Sequence, residues 1–202
     1  MKKPKVLLIG GAPGVGKTTL GRVLASRLRS TSLSIDDLLT AAKAVTTRQS
    51  HPGLHVMSAV NSVEYFTTSS VDQLTADATI QHDATWMVIE KVIRNHATWG
   101  SPIVIDGWAL RANKVAKLDL GNVTSFWLVA GPSVLEERER ENVEFFHNSS
   151  NPERMLENFL ARSVWYNNLI REQATEWKLN ILHQDGQASV EDLCNAVLEE
   201  RC

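Results

Sequence analysis

Residues 10 to 19, GGAPGVGKTT, combine glycines with a lysine and two threonines, a set of residues suited to binding anions. Glycine allows positive φ angles and close approach of the backbone, so successive N–H groups can converge on one oxyanion. Lys17 adds a positive charge for outer phosphates, and the Thr18 hydroxyl can ligate Mg²⁺. The spacing Gly11-x4-Gly16-Lys17-Thr18 therefore predicts a loop that holds a nucleoside triphosphate together with Mg²⁺. The alternative is a glycine-rich turn that only links two elements.

The elements on either side of this loop support the first interpretation. Lys5 to Ile9 is a short apolar run ended by two glycines, which is typical of a buried strand. Apolar residues then recur at helical spacing, at Leu20, Val23, Leu24 and Leu28. A strand before the loop and a helix after it are the context that the motif requires. The expected nucleotide contacts are Gly11, Ala12, Pro13, Gly14, Val15, Gly16, Lys17, Thr18 and Thr19.

Two carboxylates follow two further candidate strands. Ser32 to Ile35 leads to Asp36, and Pro102 to Ile105 leads to Asp106. Ligands bind at the carboxyl ends of parallel strands, so both carboxylates should lie beside the loop. Asp36 could orient an acceptor hydroxyl and take its proton, whereas Asp106 could hold Mg²⁺ through water or contact the substrate. For Asp36 the structural alternative is an aspartate that caps the next helix, a role that Asp37 could fill. For Asp106 the alternative is a turn residue at the end of a strand.

The rest of the chain continues the alternation of strands and helices. Val123 to Val129 and Asn180 to His183 predict the fourth and fifth strands. Capping sequences predict helix starts at Ser70 (to about Ala97), Gly131-Pro132-Ser133, Asn151-Pro152 (to about Trp177) and Ser189. We expect an α/β fold of three layers, with a five-stranded parallel sheet and helices on both faces. Residues 1–202 would form a single domain, in which 46–71 and 141–153 are insertions over one rim.

Together these features resemble the small P-loop kinases: nucleoside monophosphate kinases, shikimate and gluconate kinases, chloramphenicol phosphotransferase and 2-phosphoglycerate kinase-like proteins. The stretch SIDDLL is similar to the one that presents the catalytic base in chloramphenicol phosphotransferase, which implies that role for Asp36. IVIDG resembles the Walker B position, which implies contact with Mg²⁺ or substrate for Asp106. Nucleoside monophosphate kinases have a substrate-binding arginine after a similar Asp-Gly. Here the next arginine is Arg111, displaced by Trp-Ala-Leu.

The resemblance also implies a helical lid over the site. Arg138, in LEERER, would lie near the adenine. Arg162, in ARSVWY, would stabilise the charge that spreads over the phosphoryl oxygens during transfer. Residues 141–153 would form the lid segment, and the loop at 183–189 would pack against the adenine with backbone groups. Competing candidates are Arg140 and Arg154.

Selectivity for the acceptor should come from residues 46–97 and from the segment after Asp106. If the acceptor already carries a phosphate, arginines should converge on it; if it is neutral, they should point to solvent. The arginines concerned are Arg48, Arg94 and Arg111. Trp108 could stack on a substrate or pack on the lid side.

Composition limits the other partners. The 202 residues include 21 basic and 23 acidic side chains, and the net charge of −2 argues against a broad surface for nucleic acid or membrane. Two cysteines, Cys194 and Cys202, favour free thiols over a disulfide framework. The apolar run that ends at Ile9 is too short for a signal peptide or a membrane span. A cytoplasmic location is therefore expected.

We interpret the sequence as an ATP-dependent phosphotransferase that moves the γ-phosphoryl group to a hydroxyl, or to a phosphate, of a small molecule. The predicted catalytic residues are Lys17, Asp36 and Arg162, with ATP and Mg²⁺ as cofactors. One alternative is a polynucleotide or nucleoside 5′-hydroxyl kinase, which would need a basic channel leading to Asp36. Another is a regulatory ATPase in which hydrolysis changes a binding surface. The acceptor, the choice of ATP or GTP and the oligomeric state stay open.

Overall fold

A computed structural model describes residues 4–57 and 61–200 and has a parallel sheet at its centre. The strands are β1 (Val6–Gly11), β2 (Thr31–Ser34), β3 (Ile103–Asp106), β4 (Val123–Ala130) and β5 (Asn180–Gln184). They lie in the order β2-β3-β1-β4-β5, and every neighbouring pair is parallel. The predicted α/β fold with a five-stranded parallel sheet is therefore confirmed.

Helices surround this sheet, and four of those in the described residues start where a capping sequence predicts. They are α1 (Lys17–Leu28), α2 (Ile35–Ala44), α3 (Ser62–Thr68), α4 (Val71–Thr98), α5 (Ala112–Ala116), α6 (Pro132–Glu141), α7 (Val143–His147), α8 (Pro152–Glu176) and α9 (Val190–Glu199). Ser70 caps α4 and Asn151 caps α8, each accepting a hydrogen bond from a backbone N–H of the first turn. Ser189 and Asp192 form a reciprocal capping box at α9.

The strand register brings the candidate site residues to one edge of the sheet. All six residues of β1 are buried, because β3 and β4 flank the strand and helices α1, α4 and α8 pack against it. Ile9 pairs with Asp106, and Ser34 of the edge strand also pairs with Asp106. The loop after β1, the start of α2 and the end of β3 therefore meet at the carboxyl edge, where ligands bind in such sheets.

The N-cap of α2 differs from the residue that the sequence suggested. Ser34, not Asp37, is the N-cap of α2, and its Oγ accepts a hydrogen bond from the Asp36 N–H at 3.3 Å. Strand β2 runs directly into α2, so Asp36 and Asp37 both lie in the first turn, where negative charge is favourable. Helix α6 starts within the predicted sequence Gly131-Pro132-Ser133, with Gly131 as its N-cap and the proline at the first helical position.

The two insertions contain short helices that pack on each other. Helix α3 lies in the first insertion and α7 in the second. An apolar cluster separate from the core around the sheet joins them to α4 and α8; it consists of Tyr65, Phe66, Leu74, Phe146, Met155, Leu156 and Phe159. The Glu64 carboxylate also accepts hydrogen bonds from the backbone N–H and the hydroxyl of Ser150, both at 2.8 Å. We call α3, α7 and residues 148–151 the helical cap.

Two further expectations concern membranes and cysteines. Among the described residues, every helix is too short or too polar to cross a lipid bilayer. Cys194 is buried and has a free thiol, whereas Cys202 lies outside the described residues.

Candidate active site

The loop between β1 and α1 has the backbone of an anion-binding loop. Gly14 and Gly16 have φ angles of 79° and 94°, in the left-handed region that other residues adopt only at a cost. Gly16 is the N-cap of α1, so the free N–H groups at the positive end of the helix face the loop. A Cβ at position 14 would also lie 2.6 Å from the Glu139 carboxylate. The loop shape therefore depends on glycine at both positions.

Lys17 lies between the loop backbone and several carboxylates. Its Nζ donates a hydrogen bond to the Ala12 carbonyl oxygen at 2.7 Å. Burial lowers the pKa of Lys17 from 10.5 to about 8, and the negative charges of Asp36, Asp106 and Glu139 oppose that shift. Among the described residues the Ala12 carbonyl oxygen is the only hydrogen-bond partner of this ammonium, and no carboxylate lies within ion-pair distance of it. A bound phosphate would add the strong counter-charge that this burial requires.

This lowered pKa predicts a dependence of stability on pH. The unfolded lysine keeps its proton up to about pH 10.5, whereas the folded one releases it near pH 8. Between these values the unfolded state binds more protons, so the free energy of unfolding rises with pH. Relative to Lys17→Met, the wild-type protein should gain about 1 kcal/mol per pH unit across this window. Urea unfolding of both proteins at several pH values measures the difference, and parallel curves would contradict the shifted pKa.

Thr18 and Asp106 form a pair below the loop. The Thr18 hydroxyl donates a hydrogen bond to Asp106 Oδ1 at 2.7 Å. Asp106 Oδ2 is buried and has no hydrogen-bond partner among the described residues. Burial raises the pKa of Asp106, while the Thr18 hydrogen bond and the Lys17 charge oppose the rise. A hydroxyl next to a carboxylate oxygen without a partner is an oxygen donor set that fits Mg²⁺, directly or through water.

Asp36 occupies the first turn of α2 with an exposed side chain. Its negative charge acts on both Lys17 and Asp106, so it faces the same space as the anion-binding loop. The exposed position leaves this carboxylate free to meet a small molecule from solvent. Asp36 therefore lies at the same edge of the sheet as Lys17 and Asp106.

Arg138 lies on the opposite side of the loop. Its Nη1 donates a hydrogen bond to the Gly14 carbonyl oxygen at 3.2 Å. Together with loop residues it lines a cleft whose other wall comes from β5 and the segment before α9. The residues of this cleft include Val15, Gly16, Thr19, Arg138, Gln184 and Ala188. This cleft lies directly beside the anion-binding loop, and Arg138 contributes to its wall.

Arg162 is buried in α8 among aromatic rings. Its guanidinium carbon lies 4.5 Å from the Phe66 ring centroid and 4.8 Å from each of the Trp108 and Phe159 centroids. Burial lowers the pKa of Arg162 to about 10, opposed by the charges of Tyr65 and Glu139. The rings hold the planar group by cation–π contact, and its charge lies next to the site. The competing arginines are exposed and form ion pairs with glutamates; they are Arg140 and Arg154.

Arg111 follows β3 and is also buried. Its Nε and Nη1 atoms have no hydrogen-bond partner among the described residues. Arg48 is exposed, and Arg94 pairs with Glu90 at 2.7 Å on an exposed helix face. Of the three arginines expected to converge on a phosphorylated acceptor, only Arg111 is therefore inside the protein.

Comparison with known proteins finds matches to solved structures but none to a family model or a curated sequence. No family model and no curated protein matches this sequence. Shikimate kinase from Acinetobacter baumannii, solved in complex with shikimate, is similar over 98% of this chain and 93% of its own, with a TM-score of 0.55 and 18% identity. A putative kinase from Chloroflexus aurantiacus j-10-fl has a TM-score of 0.54 and 17% identity over 99% and 97%. A gluconokinase from Sinorhizobium meliloti 1021 has a TM-score of 0.54 and 13% identity over 100% and 93%.

The chain has the fold of the small P-loop kinases. The likeness extends over nearly the whole of each compared chain, so it includes the helices around the sheet as well as the sheet itself. The resemblance inferred from the sequence motifs is confirmed at the level of the fold. The roles of individual residues rest on the geometry described above.

Two contacts in this P-loop kinase fold were not predicted from sequence. Glu139 is buried against Gly14, and its charge acts on both Lys17 and Arg162. His82, in α4, lies edge-to-face against Trp108 with ring centroids 4.1 Å apart. Glu139 directly follows Arg138, and this adjacency was the one available signal. No local pattern distinguishes His82 from an ordinary core residue, because its neighbours come from distant parts of the chain.

Proposed function

We propose that this protein is an ATP-dependent kinase that transfers the γ-phosphoryl group to a hydroxyl of a small molecule. The observation that carries the proposal is the position of Lys17. It lies in an anion-binding loop, close enough to Asp36 and Asp106 for their negative charges to raise its pKa. A loop for a triphosphate and an exposed carboxylate on its outer side are the two parts that phosphoryl transfer requires. The shikimate kinase and the gluconokinase with this fold support the assignment to small-molecule kinases.

ATP would be held by three parts of the site. The amides of residues 11–18 and the Lys17 ammonium would bind the phosphates, and Arg138 would border the base. Thr18 and Asp106 would hold Mg²⁺ beside the outer phosphates. When bound there, Mg²⁺ would neutralise charge on the phosphate oxygens.

Transfer would then use Asp36 and Arg162. Asp36 accepts the proton of the acceptor hydroxyl while that oxygen bonds to the γ-phosphorus. The bond from the γ-phosphorus to the bridging oxygen breaks, and ADP leaves with the bonding electrons. Arg162 offers its guanidinium to the three γ-oxygens as their charge spreads during transfer. The helical cap, which packs against the helix that carries Arg162, excludes water that would compete with the acceptor.

An acceptor screen tests this proposal. The protein is incubated with ATP and Mg²⁺, and ADP release is followed in pools of alcohols, sugars, phosphorylated metabolites, nucleosides and aminoglycoside-like drugs. A kinase should release ADP slowly alone and much faster with its acceptor. Rapid ADP release that no pool increases would instead identify a regulatory ATPase. Stimulation by an oligonucleotide with a free 5′-hydroxyl would identify a polynucleotide kinase.

The Thr18–Asp106 pair gives a second prediction. Thr18→Val removes the hydroxyl but keeps the side-chain volume, so a ligand of Mg²⁺ is lost while the fold is kept. We expect the Mg²⁺ concentration for half-maximal activity to rise by about 10-fold or more. Thr175→Val is the matched control, since it removes a hydroxyl that bonds only within α8. An unchanged Mg²⁺ requirement in Thr18→Val would remove Thr18 from the metal site.

A further inference from the structure

Glu139, in α6, is a buried carboxylate beside the anion-binding loop. It is 5% exposed, whereas Glu136, Glu137 and Glu141 of the same helix are exposed. Burying a carboxylate is costly unless other groups compensate its charge. The Asn142 side chain donates a hydrogen bond to it, but among the described residues no basic group lies within ion-pair distance. The compensation must therefore come from charges that lie somewhat farther away.

Contacts with Gly14 place this carboxylate at the loop. A Cβ added to Gly14 would lie 2.6 Å from Glu139 Oε1, so the carboxylate lies directly against the loop backbone. The preceding residue, Arg138, donates a hydrogen bond to the Gly14 carbonyl oxygen at 3.2 Å. Two successive residues of α6 thus contact the same glycine, and this fixes the carboxylate beside the backbone that would hold phosphate.

Two buried cations, Lys17 and Arg162, compensate the charge of Glu139. Burial raises the pKa of Glu139, and the charges of Lys17 and Arg162 oppose that rise. Burial lowers the pKa of each cation, and the Glu139 charge opposes this shift in both. Asp36 and Asp106 also act on Lys17, whereas the Glu139 charge reaches both cations. Glu139 is therefore a counter-charge that the two cations share.

A bound triphosphate would compete with this carboxylate. Lys17 and Arg162 are the side chains assigned above to the outer phosphates. A γ-phosphate that contacts both would bring its negative oxygens close to Glu139, in a buried site where like charges repel more strongly than in water. The phosphate would also supply the counter-charge that both cations need. The carboxylate and the γ-phosphate thus compete for the same two cations.

We propose that Glu139 is a specificity-determining residue that takes the place of the γ-phosphate whenever none is bound. In the free protein and in the ADP complex, its carboxylate stays against Gly14 and neutralises Lys17 and Arg162. When ATP binds, the carboxylate moves away from both cations, and it returns once the phosphoryl group has left with the acceptor. Glu139 therefore weakens the binding of a triphosphate but not that of a diphosphate. This inference rests on the proposed function, because it uses the γ-phosphate position assigned there.

A titration with inorganic tripolyphosphate tests this inference without requiring catalysis. Glu139→Gln keeps the size of the side chain but removes its charge. We expect the Kd of this variant for tripolyphosphate, followed by thermal unfolding in the presence of Mg²⁺, to be about 10- to 100-fold lower than that of the wild type. Glu137→Gln is the matched control at an exposed position of the same helix, and it should bind like the wild type. Equal or weaker binding by Glu139→Gln would overturn the inference.

The unfolding temperature separates this role from a purely structural one. Without ligand, Glu139→Gln should unfold at a lower temperature than the wild type, because Lys17 and Arg162 lose a counter-charge. Saturating tripolyphosphate should remove this difference, because the phosphates then supply the charge. A structural glutamate would lower the unfolding temperature equally with and without the ligand, and that result would overturn the inference. If Glu139→Gln does not fold, Glu139→Met is titrated in the same way, since it keeps the length of the side chain.

Comparison of ATP with ADP tests whether the γ-phosphate is the group that Glu139 replaces. The Kd of Glu139→Gln for ATP should be about 10-fold lower than that of the wild type, while the Kd for ADP should change much less. The KM for ATP should fall in parallel, with no rise in kcat. An equal gain in affinity for both nucleotides would indicate a general effect of charge and would count against the inference.

The acceptor screen separates failure of this inference from failure of the proposed function. If an acceptor increases ADP release but Glu139→Gln binds ATP no more tightly than the wild type, the kinase stands and the inference fails. If no acceptor increases ADP release, the proposed function fails. The tripolyphosphate titration and the comparison of ATP with ADP then decide the role of Glu139 by themselves.

Discussion

Asp36→Asn is expected to lower the rate of phosphoryl transfer by about 10²- to 10⁴-fold. The amide keeps the size of the side chain but cannot accept the proton of the acceptor hydroxyl. Asp36 is exposed in the first turn of α2, so the fold should be unaffected. ATP binding should change little, because the loop at residues 11–18 is intact. The loss should therefore appear in kcat, measured as ADP release at saturating ATP and acceptor.

Asp37→Asn is the matched control for this experiment. Asp37 lies in the same turn, is also exposed, and gives the same favourable charge at the helix N-terminus. Its replacement should cost the same small amount of stability and leave transfer nearly unchanged. Equal activity losses in the two variants would mean that the charge of the turn, and not a catalytic base, is needed. An unchanged rate in Asp36→Asn would exclude Asp36 as the base.

Arg162→Lys is expected to reduce kcat by about 10³-fold or more. Lysine keeps the positive charge, but it has no planar group to stack between the Phe66 and Trp108 rings. Its ammonium is also too compact to donate to several phosphoryl oxygens at once. The loss in kcat should exceed the loss in affinity for ATP, because the guanidinium is assigned to the charge that develops during transfer. Steady-state kinetics with separate KM values for ATP and acceptor measures the difference.

Two further variants distinguish catalysis from folding at this position. Arg154→Lys makes the same change on the same helix, at an exposed residue, and should keep full activity. Arg162→Met fills the aromatic site with an apolar side chain, so it should fold as well as the wild type. A variant that folds but does not transfer supports the assigned role. If Arg162→Met retained most of its activity, Arg162 would be a packing residue only.

The sequence by itself determined the parts that depend on short-range physics. The phosphate loop was predictable because its glycines, lysine and threonine act within one turn, and the strand before it is apolar throughout. Helices α4, α8 and α9 were predictable from their caps, since a cap bonds to N–H groups two or three residues away. The alternation of these elements then led to a parallel sheet, and the sheet placed Asp36 and Asp106 beside the loop.

Helices α3 and α7 could not be predicted in this way. Both are short, and short helices are unstable alone because few hydrogen bonds offset the cost of nucleation. They form because apolar side chains from two distant insertions, such as Phe66 and Phe146, pack in one cluster. The cap at α2 was also missed, since it depends on where β2 ends rather than on the aspartates themselves.

Only the tertiary structure decided which charged residues are inside the protein. Arginines on helices look alike in a sequence, yet Arg162 is enclosed by aromatic rings while Arg154 is exposed. Arg111 and His82 become neighbours because α4 and α8 pack on the segment after β3, and no spacing in the chain encodes that contact. Burial sets the cost of an unpaired charge, and burial is a property of packing between distant segments. The burial of these side chains is therefore a product of the fold, whereas the phosphate loop is a product of local sequence.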